Sequence, residues 1–279
     1  MAGVMSLPPE FDLTGRLAVV TGGGSGIGRD TALLLAERGA DVVVAGRRAE
    51  PLEAAVEELR KLGVRALAVP TDVRKPDACK AMIEAAIEHF GRLDILINNA
   101  GGAHGHVGIA KMDLAKWDRD VQLNLSAALY CSQAAYPHLK ASKGTIVNIS
   151  SLAGIGGTQG VAAYSAAKAG LQMLTRVMSA EFGPAGIRVN CVAPGMTATE
   201  AAELGWEKRG YDAAATAKQA FSLGRYGTMR EVSQAIVFFA SDGASYITGE
   251  TLAVGGGAKI GGMISVEDDE TLGTLLTKE

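Results

Sequence analysis

A phenol and an ammonium four residues apart are the first chemistry this chain offers, in Tyr164-Ser165-Ala166-Ala167-Lys168. On a helix, positions i and i+4 share a face. A tyrosine with a reference pKa of about 10 exchanges protons poorly at neutral pH unless its phenolate is stabilised. A unit charge at about 4 Å and an effective dielectric of about 20 contributes roughly 4 kcal/mol, about 3 pKa units before desolvation is counted. The pair therefore predicts acid–base work on an oxygen, with Lys168 lowering the Tyr164 pKa. Taken alone, the same spacing occurs on many surface helices.

A second constellation lies near the other end of the chain. Thr21-Gly22-Gly23-Gly24-Ser25-Gly26-Ile27-Gly28 follows an apolar run and leads into residues 29–38, where Ala32, Leu34 and Leu35 form an apolar face. Strand, glycine-rich turn and helix N-terminus together set backbone N–H groups and the helix dipole against a pyrophosphate. Gly22, Ser25, Gly26, Ile27 and Gly28 are the predicted contacts of a dinucleotide. The end of the second strand reports which one. An acid there binds a ribose 2′-hydroxyl, whereas a 2′-phosphate needs positive charge. In Val44-Ala45-Gly46-Arg47-Arg48, Gly46 stands in the acid's place and Arg47 and Arg48 follow. This predicts NADP(H) in preference to NAD(H); the plainer reading is a solvated basic turn.

The elements that must position these groups are short and apolar. β-Branched runs recur at 17–21, 41–45, 65–69, 94–97, 145–149, 187–193 and 250–254. Most lack polar alternation, as strands buried on both faces of a parallel sheet do. Helical patterns lie between them, such as Leu52, Ala55, Val56 and Leu59, closed by Gly63. The alternation predicts a doubly wound α/β layer fold with a seven-stranded parallel sheet in one domain, residues 1–279. Residues 196–226 carry no strand pattern and read as a helical lid, with Met196, Trp206, Tyr211 and Phe221 as apolar lining. Residues 258–279 read as a polar extension.

These motifs, in this order, resemble the short-chain dehydrogenase/reductase family of the single-domain type, from about Leu13 to Gly257. Thr21–Gly28 is similar to the family's TGxxxGxG, Asp72-Val73 to its adenine-side pair, Asn98-Asn99-Ala100-Gly101 to its NNAG, and Pro194-Gly195 to its turn beside the nicotinamide. The resemblance implies a Rossmann-type three-layer fold. It implies that Asp72 bonds the adenine amine with the Val73 backbone nearby, that Asn99 and Gly101 pass the cofactor ribose while Asn98 is structural, and that Thr197 contacts the carboxamide end. Ser151, thirteen residues before Tyr164, matches the serine that holds the reacting carbonyl oxygen. Ser150 is adjacent, but alternation along a strand lets only one of the two face the site. Asn124, in Leu123-Asn124-Leu125-Ser126, matches the member that holds a water in a proton relay from Lys168. Tyr164 and Lys168 then also touch the cofactor. The implied reaction is hydride transfer between NADP(H) and a carbonyl or secondary alcohol, without a metal. Helices carrying 127–138 and 166–178 would pair across subunits in a homotetramer or dimer.

Two features depart from the family pattern. Val254-Gly255-Gly256-Gly257 lacks the acid or amide often found before the closing glycines, and Gly102 extends the NNAG motif as in branches that act on acyl-CoA thioesters. A 3-oxoacyl thioester or another lipophilic ketone is the expected substrate. The alternatives are an enoyl or dienoyl thioester reductase on the same fold and a non-catalytic NADP(H)-sensing regulator; a complete Asn124, Ser151, Tyr164 and Lys168 set speaks for carbonyl chemistry. His104 and His106 either line the substrate mouth or are solvated.

Composition narrows the class. With 48% hydrophobic and 20% charged residues the chain is too apolar for disorder, and no interior run reaches the roughly 18 apolar residues of a membrane span. A net charge of −3 lacks the basic footprint of a nucleic-acid binder. Cys79, Cys131 and Cys191 are odd in number and without metal-ligand spacing. Together with an opening that does not read as a signal peptide, they lead us to expect a cytoplasmic protein acting on a small molecule.

Overall fold

The computed structural model describes residues 8–103, 105 and 107–258; His104, His106 and the extension beyond Ala258 lie outside them. Seven strands form one parallel sheet: β1 (Leu17–Thr21), β2 (Asp41–Gly46), β3 (Ala66–Pro70), β4 (Ile95–Asn98), β5 (Thr145–Ile149), β6 (Arg188–Pro194) and β9 (Thr251–Val254). Their spatial order is β3-β2-β1-β4-β5-β6-β9. The chain thus winds outward from β1 in one direction, then returns to β4 and winds out in the other. This is the doubly wound, Rossmann-type arrangement that the apolar runs predict. At its reversal, between β1 and β4, the strand ends leave a crevice in which such folds bind ligands.

Side chains alternate across the sheet, so a single strand feeds both cores. Ala18 and Val20 of β1 pack with Leu35, Leu52, Val56, Leu59 and Ile236 on one face. Leu17 and Val19 pack with Met82, Ile83, Leu139 and Met178 on the other. The first core is covered by α1 (Gly26–Glu37), α2 (Ala49–Lys61) and α9 (Met229–Ala240), the second by α3 (Pro76–Phe90), α5 (Ala127–Ser142) and α6 (Ala162–Phe182). In α2 the buried residues are Leu52, Ala55, Val56 and Leu59, the stripe that the 3.6-residue period predicts.

Two local features matter for the site. α4 (Leu114–Val121) runs into α5 through a π-helical turn at Gln122–Ser126, a distortion often found at functional sites. The stretch 196–226 contains the expected helices, α7 (Glu200–Lys208) and α8 (Ala213–Ala220), but it is not strandless. β7 (Thr197–Ala198) pairs in parallel with β8 (Gly227–Thr228), just past the end of the stretch. Two-residue strands leave no period in a sequence; the pairing arises because both ends of the stretch leave the body side by side. Among the described residues no helix is long and apolar enough to cross a membrane.

Candidate active site

The glycine turn sits at the crevice where the strand order reverses. Gly22 and Gly26 have φ of 69° and 56°, which side chains rarely adopt. Gly28 is required by close approach: a Cβ there would lie 2.8 Å from the Gly22 carbonyl carbon, with the carbonyl oxygen closer still. α1 begins at Gly26, and its N-cap, Ser25, makes no side-chain capping bond. The first N–H groups of the helix are therefore free to meet an anion. Ile27 packs partly against the first core and anchors that turn. The cradle fits a dinucleotide pyrophosphate.

Asn99, the expected ribose contact, also holds the glycine turn. Its amide Nδ2 donates to the Thr21 carbonyl at 2.9 Å and to that of Gly22 at 3.4 Å. The Thr21 hydroxyl accepts from the N–H groups of Asn99 and Ala100, each at 3.0 Å, and donates to the Ile97 carbonyl. Its amide nitrogen thus ties the β4 end to the glycine turn. Asn98 is buried, donating to Asn148 at 2.9 Å and Ser132 at 3.0 Å.

On the adenosine side, Arg47 and Arg48 are exposed beyond the Gly46 end of β2. Asp72 meets Arg74 in a two-point pair, at 2.9 and 2.6 Å. That bond first, and the field of Arg47 among the lesser causes, holds its carboxyl at about 2. The carboxylate expected to meet an adenine amine is thus already shared with Arg74, a partner two residues away that the motif did not disclose. Val73 is buried beside it.

At the catalytic face, Tyr164 and Lys168 share the inner side of the first turns of α6, and the Lys168 amine lies 5.6 Å from the centre of the Tyr164 ring. Ser151 lies beside the Tyr164 hydroxyl, close enough to lower its pKa in part. Ser150 points the other way, donating to the Lys168 carbonyl at 2.8 Å and accepting from Gln172. Burial raises the phenol pKa, and Ser151 opposes that only in part, so the net direction is opposite to the predicted lowering. The amine is itself buried, which depresses it to about 8. It donates to the Ile149 carbonyl at 2.7 Å and lies over the Tyr164 ring.

Asn124 is buried in the π-helical turn. Its Oδ1 accepts from the Gly102 N–H and its Nδ2 donates to the Gly102 carbonyl, both at 2.9 Å, and to the Asp120 carbonyl at 3.0 Å. The side chain thereby braces the loop after β4. Beside it lies a cavity of about 10 Å³, lined by Thr21, Asn98, Asn124 and Lys168 among others, at the lower limit for one water. Gly101 closes this corner: a Cβ there would lie 2.7 Å from Asn124 Oδ1 and 3.0 Å from the Lys168 amine.

Pro194 ends β6 and Gly195 follows, its N–H bonded to the Val254 carbonyl at 2.9 Å. Thr197 donates its hydroxyl to the Gly195 carbonyl at 3.2 Å. The stretch 196–226 starts over the glycine turn, where a Cβ on Gly26 would lie 3.6 Å from the Thr199 methyl. Trp206 packs at a tilt against Tyr226, ring centres 5.4 Å apart, and ties α7 to the far end of the stretch. Arg74 and Gln172 are participants that sequence reasoning missed, whereas Thr21 and Gly102 read there only as parts of their motifs. Only Arg74, two residues after an aspartate, left a local sign.

Residues 22–259 match the family model described as enoyl-(acyl carrier protein) reductase. The chain is 44% identical to cis-4-hydroxycyclohexanecarboxylate dehydrogenase of Sinomonas cyclohexanicum, over 87% of this chain and 96% of that protein. It is 36% identical to the 3-oxoacyl-[acyl-carrier-protein] reductase FabG of Thermotoga maritima, over 89% and 99%. The crystal structure of carveol dehydrogenase from Mycobacterium avium in complex with NAD superposes with a TM-score of 0.83, with 28% identity over 88% of this chain and 98% of that one. With the doubly wound sheet and the glycine cradle, these matches show that the chain belongs to the short-chain dehydrogenase/reductase family of oxidoreductases.

Proposed function

We propose that the protein is an NADP(H)-dependent carbonyl reductase and alcohol dehydrogenase whose substrate is a 3-oxoacyl thioester or another lipophilic ketone. The observation that carries this reading is the convergence of Ser151 and the buried Lys168 amine on Tyr164. Ser151 holds the substrate oxygen, and Tyr164 donates a proton to it in reduction. A phenol whose pKa burial has raised is protonated at neutral pH, the state in which a donor must wait. Lys168 supports the phenolate left behind and binds the cofactor ribose. The water-sized cavity beside Asn124 and Lys168 suits a relay that returns the proton, with Asn124 fixing the cavity wall through Gly102. The nicotinamide, when bound, supplies or takes the hydride at the carbonyl carbon.

Gly22, Ser25, Gly26, Ile27 and Gly28 hold the pyrophosphate; Asp72, Val73, Gly101, Pro194, Gly195 and Thr197 border the remainder, and Asn99 serves it through the turn it ties. Arg47 and Arg48, with no acid at the end of β2, favour a 2′-phosphate. Residues 196–226 serve as the substrate lid. The half-exposed Leu129, Met173 and Val177 on α5 and α6 support pairing of those helices in a homotetramer or dimer. Three buried free thiols fit a cytoplasmic setting.

Cofactor oxidation followed at 340 nm tests this, with NADPH and NADH against 3-oxoacyl thioesters, 3-oxo esters, cyclic ketones and 2-enoyl thioesters. Turnover of a ketone with a lower KM for NADPH is expected. Turnover of enoyl thioesters alone would support the enoyl reductase that the matching family model describes, and binding without turnover a regulator.

A further inference from the structure

The closing segment Val254–Gly257, where this chain departs from its family's pattern, meets the catalytic serine through one side chain. β6 and β9 end side by side, and their last pair, Pro194 with Val254, delivers Gly195 and Gly255 to a close backbone crossing. A Cβ on Gly195 would lie 2.8 Å from the Gly255 Cα. Leu152, the residue after Ser151, fills the space that both glycines leave. A Cβ on Gly255 would lie 3.1 Å from Leu152 Cγ, with Cδ1 closer still, and a Cβ on Gly195 would lie 3.1 Å from the same Cδ1. Gly255 is not required by its own backbone: its φ is outside the left-handed region that excludes side chains. What excludes a side chain there is Leu152.

The turn that carries Ser151 has no slack on its other side. Ser151 caps a single 3-10 turn, Leu152–Gly154, accepting from the Ala153 N–H at 3.1 Å. Gly154 lies against α6, where a Cβ would come within 2.7 Å of the Ala169 nitrogen and the Lys168 carbonyl carbon. Gln172 of α6 also donates to the Ser151 carbonyl at 3.3 Å. The turn is therefore clamped between α6 at Gly154 and the glycine crossing at Leu152. Force on Leu152 that its side chain does not absorb passes along the turn, toward Ser151.

We propose that Gly255 is a positioning residue for catalysis: with Gly195 it forms the seat for Leu152 that fixes the Ser151 hydroxyl against Tyr164. This rests on the role given to Ser151 above. Interiors are packed tightly enough for one added methyl to be felt, and small misplacements of reacting groups cost up to about 10²-fold in rate.

The test is the set Gly255→Ala, Leu152→Ala, their double variant and Ser151→Ala, assayed with NADPH and the fastest ketone of the panel. Gly255→Ala is expected to lower kcat at least about tenfold while the KM for NADPH stays within about twofold, and adding Leu152→Ala should recover most of the loss. A crystal structure of Gly255→Ala gives a readout without turnover, with the Ser151–Gly154 turn displaced. Full kcat in Gly255→Ala, failure of Leu152→Ala to rescue, or a turn that superposes on the wild type because Leu152 merely changed rotamer would each overturn the proposal. Normal turnover of Ser151→Ala would instead overturn the role of Ser151, while the crystal structure still decides whether Gly255 seats the turn.

Discussion

Where Gly22 and Gly28 cross beneath Asn99, the parts in contact are mostly backbone; where Ser151, Tyr164 and Lys168 meet, they are side chains carried by a strand end and a helix face. At the first place, shape is set by groups too close to move, and a Cβ at Gly28 would run into the Gly22 carbonyl. At the second, the groups are held by hydrogen bonds to the backbone, Lys168 to Ile149 and Ser151 to Ala153, and the protonation of Tyr164 and Lys168 is set by burial. The comparison teaches that one region risks binding and folding when altered, while the other risks chemistry with the fold intact.

The largest effect that separates them is expected from Tyr164→Phe. Loss of the donor should lower kcat by about 10²–10⁴-fold with the NADPH Kd unchanged, as read by stopped-flow turnover and fluorescence titration. Ordinary turnover in this variant would break the catalytic half of the comparison. Gly28→Ala should do the reverse, costing roughly 1–3 kcal/mol of stability from overpacking and weakening cofactor binding in parallel. Thermal melts with and without NADPH check this, and a wild-type Tm and Kd would show slack in the turn.

A smaller effect is expected at Arg47 and Arg48, which are exposed and thus separable from folding. Replacing both with Glu should shift the NADPH to NADH ratio of kcat/KM by about tenfold or more, since a carboxylate repels a 2′-phosphate. An unchanged ratio would remove the argument for NADP(H). The subtlest sharpening comes from pH. Folding lowers the Lys168 amine from 10.5 to about 8 by burial, so between those values the unfolded chain holds the extra proton. The stability of the wild type relative to Lys168→Met should therefore rise with pH across that window. Denaturant melts from pH 7 to 10.5 would show it, and a flat difference would mean that the amine is not desolvated.

Much of this architecture was legible before any coordinates. The stripe Leu52, Ala55, Val56 and Leu59 is buried as its period requires, and the strands form at the apolar runs, with ends shifted by a residue. Alternation along β5 separates Ser150 from Ser151, and the structure sends their hydroxyls to opposite sides. The pairing of β7 with β8 was not legible, because two-residue strands carry no pattern. Nor was the engagement of the Asn99 amide, the Asp72–Arg74 pair or the brace between Asn124 and Gly102. Each is a choice of hydrogen-bond partner among groups that meet only after folding.

Residue order by itself determined the doubly wound sheet, the glycine turn and the shared helix face of Tyr164 and Lys168, because each depends on local periodicity or on spacing within one element. Tertiary structure alone decided the electrostatics and the seating. Whether the phenol rises or falls depends on how much water and charge surround it, and burial prevailed over the lysine's field. Whether Gly255 touches the catalytic turn depends on β6 and β9 ending side by side, about a hundred residues after Ser151 in the chain, where long-range packing rather than pattern brings backbone and side chain together.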